Sequence, residues 1–360
     1  MTTENKYKYS PDYAVPPGVT LLEVLDMQGM SQTDFAIRCG MAYKTISQII
    51  NMGAPITVDT AERFELVLGI PASFWNRREL AYREATAKAE EAAKLEADVA
   101  WLKELPVKEL VERGYVEATA DKSQMVRRML QFFAVSSVSA WKQLVNTPAM
   151  RFRGGLAQKR KPGYVAAWRR IGILQARDIA TQAFNAQEFR KSLQIIRKLS
   201  TESAAVWQVK LVQLCAAAGV AVVFTKEIPG ASVSGATRWL TKDKALLQLS
   251  LKYKTDDQLW FTFFHEAGHI LLHSKKQVFI DYGYSEEDED EREANKFARD
   301  VLIPPVWAAR LPAIARDREK VKEFAQLLGI SPGIVVGRLQ HDGHLYPAAF
   351  TDLKRKLVWK

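Results

Sequence analysis

The chain has 360 residues, 48% of them hydrophobic and 26% charged, the balance of a soluble globular protein with room for two or three domains. Its net charge of +10 suits an anionic partner without separating nucleic acid from a membrane surface. Two cysteines, Cys39 and Cys215, exclude a disulfide framework, and the longest apolar stretch, residues 214–224, is too short to span a bilayer; with a polar start and no apolar signal region, the expected location is the cytoplasm, with no membrane partner.

Residues 19–28 form an amphipathic helix with Leu21, Leu22 and Leu25 on one stripe, stopped by Gly29. Ser31-Gln32-Thr33-Asp34 is a capping-box-like start for a second helix through Arg38. Cys39-Gly40-Met41 makes a tight turn, and a third helix runs over residues 43–51 with Ile46, Ile49 and Ile50 inward. A fourth, over 58–68, ends at Gly69. Short helices joined by a tight Gly turn are the pattern of a helix-turn-helix.

Gly29-Met30-Ser31-Gln32-Thr33-Asp34-Phe35-Ala36, Lys44-Thr45-Ile46-Ser47-Gln48-Ile49-Ile50-Asn51, residues 55–61 and Leu68-Gly69-Ile70-Pro71-Ala72-Ser73-Phe74-Trp75 resemble the XRE-type DNA-binding domains of HigA-like antitoxins. The likeness covers residues 18–82, within an expected first domain of 1–82. It implies that Tyr43, Lys44, Thr45 and Gln48 face the major groove and that Gln32 meets a phosphate at a helix N-terminus. It also implies operator DNA as partner, bound by a homodimer at a pseudo-palindrome. Ala42 departs from the pattern, where a Ser-like N-cap is usual. The plainer alternative is a small helical bundle for protein contact.

Residues 77–105, rich in Ala, Glu, Lys and Leu, predict one long helix ended by Pro106, better suited to a spacer than to a heptad coil. Shorter helices follow at 107–114, 121–134 and 137–144, then a basic loop over 151–161, then helices at 163–184 and 189–199. Residues 83–200 carry no motif with chemistry and are expected to be a helical connector.

The last third, 201–360, opens with an amphipathic helix over 202–218 and a buried strand over 220–224. Two more strands, 236–240 and 246–251, complete a small sheet expected to be antiparallel. Then comes Trp260-Phe261-Thr262-Phe263-Phe264-His265-Glu266-Ala267-Gly268-His269. At roughly 3.6 residues per turn, His265 and His269 share a helix face and can hold one Zn²⁺ at about 2.0–2.1 Å. Glu266, beside that face, is placed to act as a general base. Ala267 and Gly268 leave room for another segment to pack close behind the metal, and the aromatic flank marks the helix as interior.

Zinc needs a third protein ligand. Residues 291–304 predict a helix with Ala294, Phe297, Ala298, Val301 and Leu302 inward; Glu293 lies next to that face, with Glu291 and Asp290 as competitors. His273 sits about 5.4 Å further along the axis, too far to share the ion easily, and is expected either to stand behind the ligands or to be simply exposed. Residues 322–340 read as a packing hairpin or a second helix-turn-helix, followed by His341 and His344 as candidate oxyanion donors.

His265-Glu266-x-x-His269-x-x-x-His273, then Glu293-Ala294-Asn295-x-Phe297-Ala298 and Leu302-Ile303-Pro304, resemble the ImmA/IrrE family of metallo-endopeptidases. The likeness covers residues 201–345, and fusion to a HigA-like domain is an arrangement that family uses. It implies His265, His269 and Glu293 as zinc ligands, Glu266 as base, and a regulatory protein, a repressor or a toxin-antitoxin partner, as substrate. The expected class is α+β, mostly α: a helix-turn-helix bundle, a connector, and a zincin-like domain. The rival is a HigA-like repressor whose metal site is structural or inactive.

Overall fold

The computed structural model describes residues 15–145, 161–275, 278–281 and 289–359; most of the basic loop over 151–161 and part of the acidic run over 286–291 lie outside the described residues. Contacts divide the chain between Asp98 and Val99.

In the N-terminal unit, α1 (Pro17–Met27), α2 (Gln32–Arg38), α3 (Tyr43–Ile50) and α4 (Val58–Leu68) fall where the sequence places them. Ser31 caps α2, its hydroxyl accepting from Asp34 N, and Gly69 ends α4 in the left-handed region at φ 70°. The next helix, α5 (Ala72–Ala97), begins earlier than expected because Trp75 is locked in the same core as Leu21, Phe35, Ile46 and Phe64. Phe64 stands edge-on to the Trp75 ring at 5.6 Å and tilts over Phe35 at 5.0 Å. Residues 99–104 then leave the α-helix for a 3-10 turn.

The C-terminal unit adds α6 (Val107–Glu112), α7 (Lys122–Phe133), α8 (Val138–Val145), α9 (Pro162–Arg177), α10 (Ala186–Lys198) and α11 (Ala204–Ala217) before the sheet. Strands β1 (Val220–Phe224), β2 (Gly235–Thr241) and β3 (Lys244–Leu249) precede α12 (Asp256–Leu272), β4 (Phe279–Asp281) and α13 (Glu289–Leu302). The chain closes with α14 (Pro305–Ala308), α15 (Leu311–Ile314), α16 (Arg318–Leu328) and α17 (Pro332–His341).

The sheet order is β1-β3-β2-β4, and it is mixed rather than antiparallel: β1 pairs with β3 in parallel, while β2 pairs antiparallel with β3 and β4. The reason is connectivity. Residues 225–234 lead from β1 to β2, and the turn at Lys242-Asp243 brings β3 back between them, running with β1. The side-chain period of two then splits the strands between two apolar layers. Val220, Val222, Leu247 and Leu249 join Trp207, Trp260, Phe263 and Phe264 in the main core, whereas Ala221, Val223 and Leu246 meet Ala176 of α9.

Residues read from sequence as a connector therefore fold, from Val99 onward, with the C-terminal unit. Gln248 Nε2 donates to Trp168 O at 2.8 Å, and a Cβ on Gly172 would lie 2.1 Å from the end of the Gln248 side chain, so the glycine leaves that amide room to make its bond. Arg113, just past α6, donates to Lys226 O at 2.8 Å beyond the end of β1. Helices α16 and α17 bury Val321, Phe324, Val335 and Leu339 in the main core, the packing-hairpin alternative.

The C-terminal tail clamps the start of α12. Asp256 and Asp257 are both buried; Lys354 Nζ lies 2.7 Å from Asp257 Oδ2, and Arg355 N donates to Asp256 Oδ1 at 2.9 Å. Ser331 Oγ donates to Asp256 Oδ2 at 2.6 Å. Removing one partner of a buried pair strands the other charge, so Lys354→Ala is expected to lower the unfolding free energy by about 3–5 kcal/mol in denaturant titration. A loss of less than about 1 kcal/mol, the scale of an exposed pair, contradicts the clamp.

Candidate metal centre

Thr255 occupies the N-cap of α12 without a side-chain cap bond, and Asp256 and Asp257 fill the first turn instead, where carboxylates oppose the helix dipole. Trp260, Phe263 and Phe264 anchor the helix in the core, and Trp260 meets the Trp207 ring at 5.2 Å. That anchoring turns the remaining face toward α13. A Cβ on Gly268 would lie 3.2 Å from Ala294 Cα, so the small residue lets the two backbones approach.

His265, Glu266 and His269 are all buried, at 3%, 0% and 2% exposure. The Nε2 atoms of His265 and His269 lie 2.9 Å apart. Glu291 Oε2 is 3.2 Å from His265 Nε2, and Glu291 Oε1 is 3.6 Å from His269 Nε2. Two donors about 2.0–2.1 Å from a tetrahedral ion are separated by roughly 3.3 Å, which is the scale of these spacings, although the two carboxylate contacts are made by different oxygens of Glu291. Among the described residues, His265, His269 and Glu291 form the group whose donor atoms lie within 4.8 Å of one another.

The carboxylate beside the imidazoles is thus Glu291 and not Glu293. The Glu293 side chain is 55% exposed, and its Oε2 meets His273 Nε2 at 3.2 Å. The physical reason is the rotation of α13. Its buried face is Ala294, Asn295, Ala298 and Leu302, turned toward Asn295 rather than Phe297. Glu291 stands one turn before Asn295 on that face, whereas Glu293, two residues on, is about 200° around the helix at 3.6 residues per turn. Asn295 Oδ1 lies 3.0 Å from His265 Nδ1 and accepts its proton, which leaves Nε2 with a lone pair toward the site. Sequence reasoning missed this asparagine, although a polar residue between Ala294 and Ala298 was a signal for the inward face.

Thr237 of β2 donates to Glu266 Oε2 at 2.5 Å, holding that carboxylate. Gly235 lets the strand lie against it, since a Cβ there would come within 2.7 Å of Glu266 Oε1. Phe279 of β4, a strand with no forecast in the sequence reading, stacks on the His269 ring at 3.9 Å and 14°. His341 is exposed and pairs with Asp342 at 3.1 Å; it lines a cavity with Phe261 and Arg299. His344 is exposed.

In the N-terminal unit, Tyr43, Lys44 and Gln48 are exposed on α3, while Thr45 is half-buried. Ile46 and Ile49 hold the opposite face in the core. Ala42 sits at the N-cap of α3 with no side-chain cap bond, and Gln32 is the half-buried first residue of α2. Both cysteines are free and buried; burial pushes the Cys39 thiol up to about 11, against the pull of Arg63, and raises Cys215 further. Among the described residues, no helix is long and apolar enough to cross a membrane.

Residues 220–340 match a peptidase family described as the IrrE N-terminal-like domain, and residues 21–75 match the helix-turn-helix family. A solved structure described as an addiction module antidote protein of a HigA family, from Coxiella burnetii, is 27% identical; the match covers 24% of this chain and 94% of that one, with a TM-score of 0.22. No curated protein matches.

Proposed function

We propose that this chain, which carries a helix-turn-helix domain and an IrrE N-terminal-like peptidase domain, is a DNA-binding regulator that hydrolyses a peptide bond in a regulatory protein with the help of zinc. The observation that carries the enzymatic half is the trio His265, His269 and Glu291, with donor spacings of 2.9, 3.2 and 3.6 Å, beside a buried Glu266 held by Thr237. Zinc there would supply a Lewis acid that draws the pKa of a water toward neutrality and polarises the scissile carbonyl. Glu266, buried and held by Thr237, would serve as the group that accepts a proton from an attacking water and returns it to the leaving amine. His265 and His269 hold their ring orientation through Asn295 and through the stack on Phe279. A repressor with a structural metal site has no use for a fixed, buried carboxylate next to the ligands, and this favours the enzyme.

The proposed domains are a DNA reader in residues 1–82 and a peptidase in 201–360, with the residues from Val99 onward folded onto the latter, working in the cytoplasm on a repressor or toxin-antitoxin partner. The test is incubation of the zinc-loaded full chain with a lysate of its host, followed by mapping of new protein N-termini. A small set of cuts that disappears with a chelator is expected. No cut at saturating zinc overturns the peptidase.

For the DNA half, the proposal places Tyr43, Lys44, Thr45 and Gln48 in the major groove and Gln32 at a phosphate, in a homodimer on a pseudo-palindrome. Gln48→Ala is expected to cost about 1–3 kcal/mol at an operator selected from a random duplex pool, with little change on unselected duplex. Equal loss on both, read by fluorescence anisotropy, shows a phosphate contact instead.

A further inference from the structure

His273 stands one turn beyond His269, and its side chain is only 4% exposed. The Nδ1 atoms of the two rings are 2.9 Å apart, close enough to share a single proton. The Nε2 of His269 faces His265 and Glu291, so a ligating His269 carries its proton on Nδ1. That N–H then donates to Nδ1 of His273, which has to be bare. The proton of His273 therefore sits on Nε2, where Glu293 Oε2 accepts it at 3.2 Å, with Asp290 Oδ1 3.7 Å away.

From this geometry we propose that His273, backed by Glu293, is a positioning residue that holds His269 in the tautomer and orientation needed to bind zinc. It does for His269 what Asn295 does for His265. The difference is that Asn295 presents a carbonyl oxygen that can only accept, whereas His273 accepts at Nδ1 only while a carboxylate claims its other nitrogen. Glu293 thereby acquires a role two hydrogen bonds removed from the ligand His269. The inference rests on the zinc reading above.

The test is zinc affinity of the full chain, measured by competition with a chromophoric chelator. His273→Ala is expected to bind about 10–100-fold more weakly than the unsubstituted chain. His273→Asn, whose amide oxygen falls near the lost Nδ1, restores most of that affinity. Wild-type affinity in His273→Ala overturns the proposal, and so does equal weakness in the Ala and Asn variants, which shows that the ring acts by packing. Should His273→Ala fail to fold, Glu293→Ala alters an exposed side chain and asks the same question; about a tenfold loss is expected, and no loss overturns the proposal. An unsubstituted chain that binds no zinc removes the metal reading itself, a result distinct from any difference among variants.

Discussion

Glu291→Gln is expected to weaken zinc binding by more than about 100-fold, while Glu293→Gln leaves it within roughly tenfold of the unsubstituted chain. The two residues are near neighbours in sequence and chemically identical, so the comparison isolates position. Glu291 presents both carboxylate oxygens to the imidazole nitrogens, at 3.2 and 3.6 Å. It is the one anionic donor of the trio, and an amide of the same shape removes that charge and leaves a weaker oxygen donor. Glu293 touches His273, and a glutamine there still offers an oxygen to its Nε2–H. Competition titration on the full chain reads both variants. If the order is reversed, α13 is rotated relative to α12 and the site described above is wrong.

Glu266→Gln is expected to slow cleavage by about 10²–10⁴-fold and to leave zinc affinity nearly unchanged. The side chain is fully buried, and Thr237 Oγ1 can donate to the amide oxygen as it does to the carboxylate, so the fold and the ligand trio should persist. What is lost is a carboxylate able to accept a proton. Initial rates on a substrate found by N-terminus mapping, at saturating zinc, measure the effect. Cleavage at the unsubstituted rate excludes Glu266 as the base. Loss of zinc along with activity would instead place Glu266 among the groups that hold the metal.

The local features of this chain were legible without a structure. A four-residue step between His265 and His269 puts both on one face of any α-helix, because rise and turn per residue are properties of the backbone. The Ser31 cap and the terminating Gly69 mark helix ends in the same local way and lie where the sequence places them, and of the stripe Leu21, Leu22 and Leu25 the first and last are buried while Leu22 is exposed. The same holds for β1, a buried strand over the residues where the sequence places it.

The third carboxylate was not legible, because it depends on how α13 is rotated against α12. That rotation is decided by the close approach of Gly268 to Ala294 and by the burial of Asn295, which involve residues some 26 positions apart. The parallel pairing of β1 with β3 has the same character: strand content is local, but neighbour choice depends on the path of the intervening chain. So does the docking of α9, which needs Gly172 opposite Gln248, and the clamp of Lys354 and Arg355 on two buried aspartates about a hundred residues earlier. Sequence by itself therefore determined most of the helices, the first three strands and which two histidines share a face, since these follow from short-range backbone geometry. Tertiary structure alone placed a carboxylate, that of Glu291, beside them, since that depends on the relative rotation of helices that meet only once the core has closed.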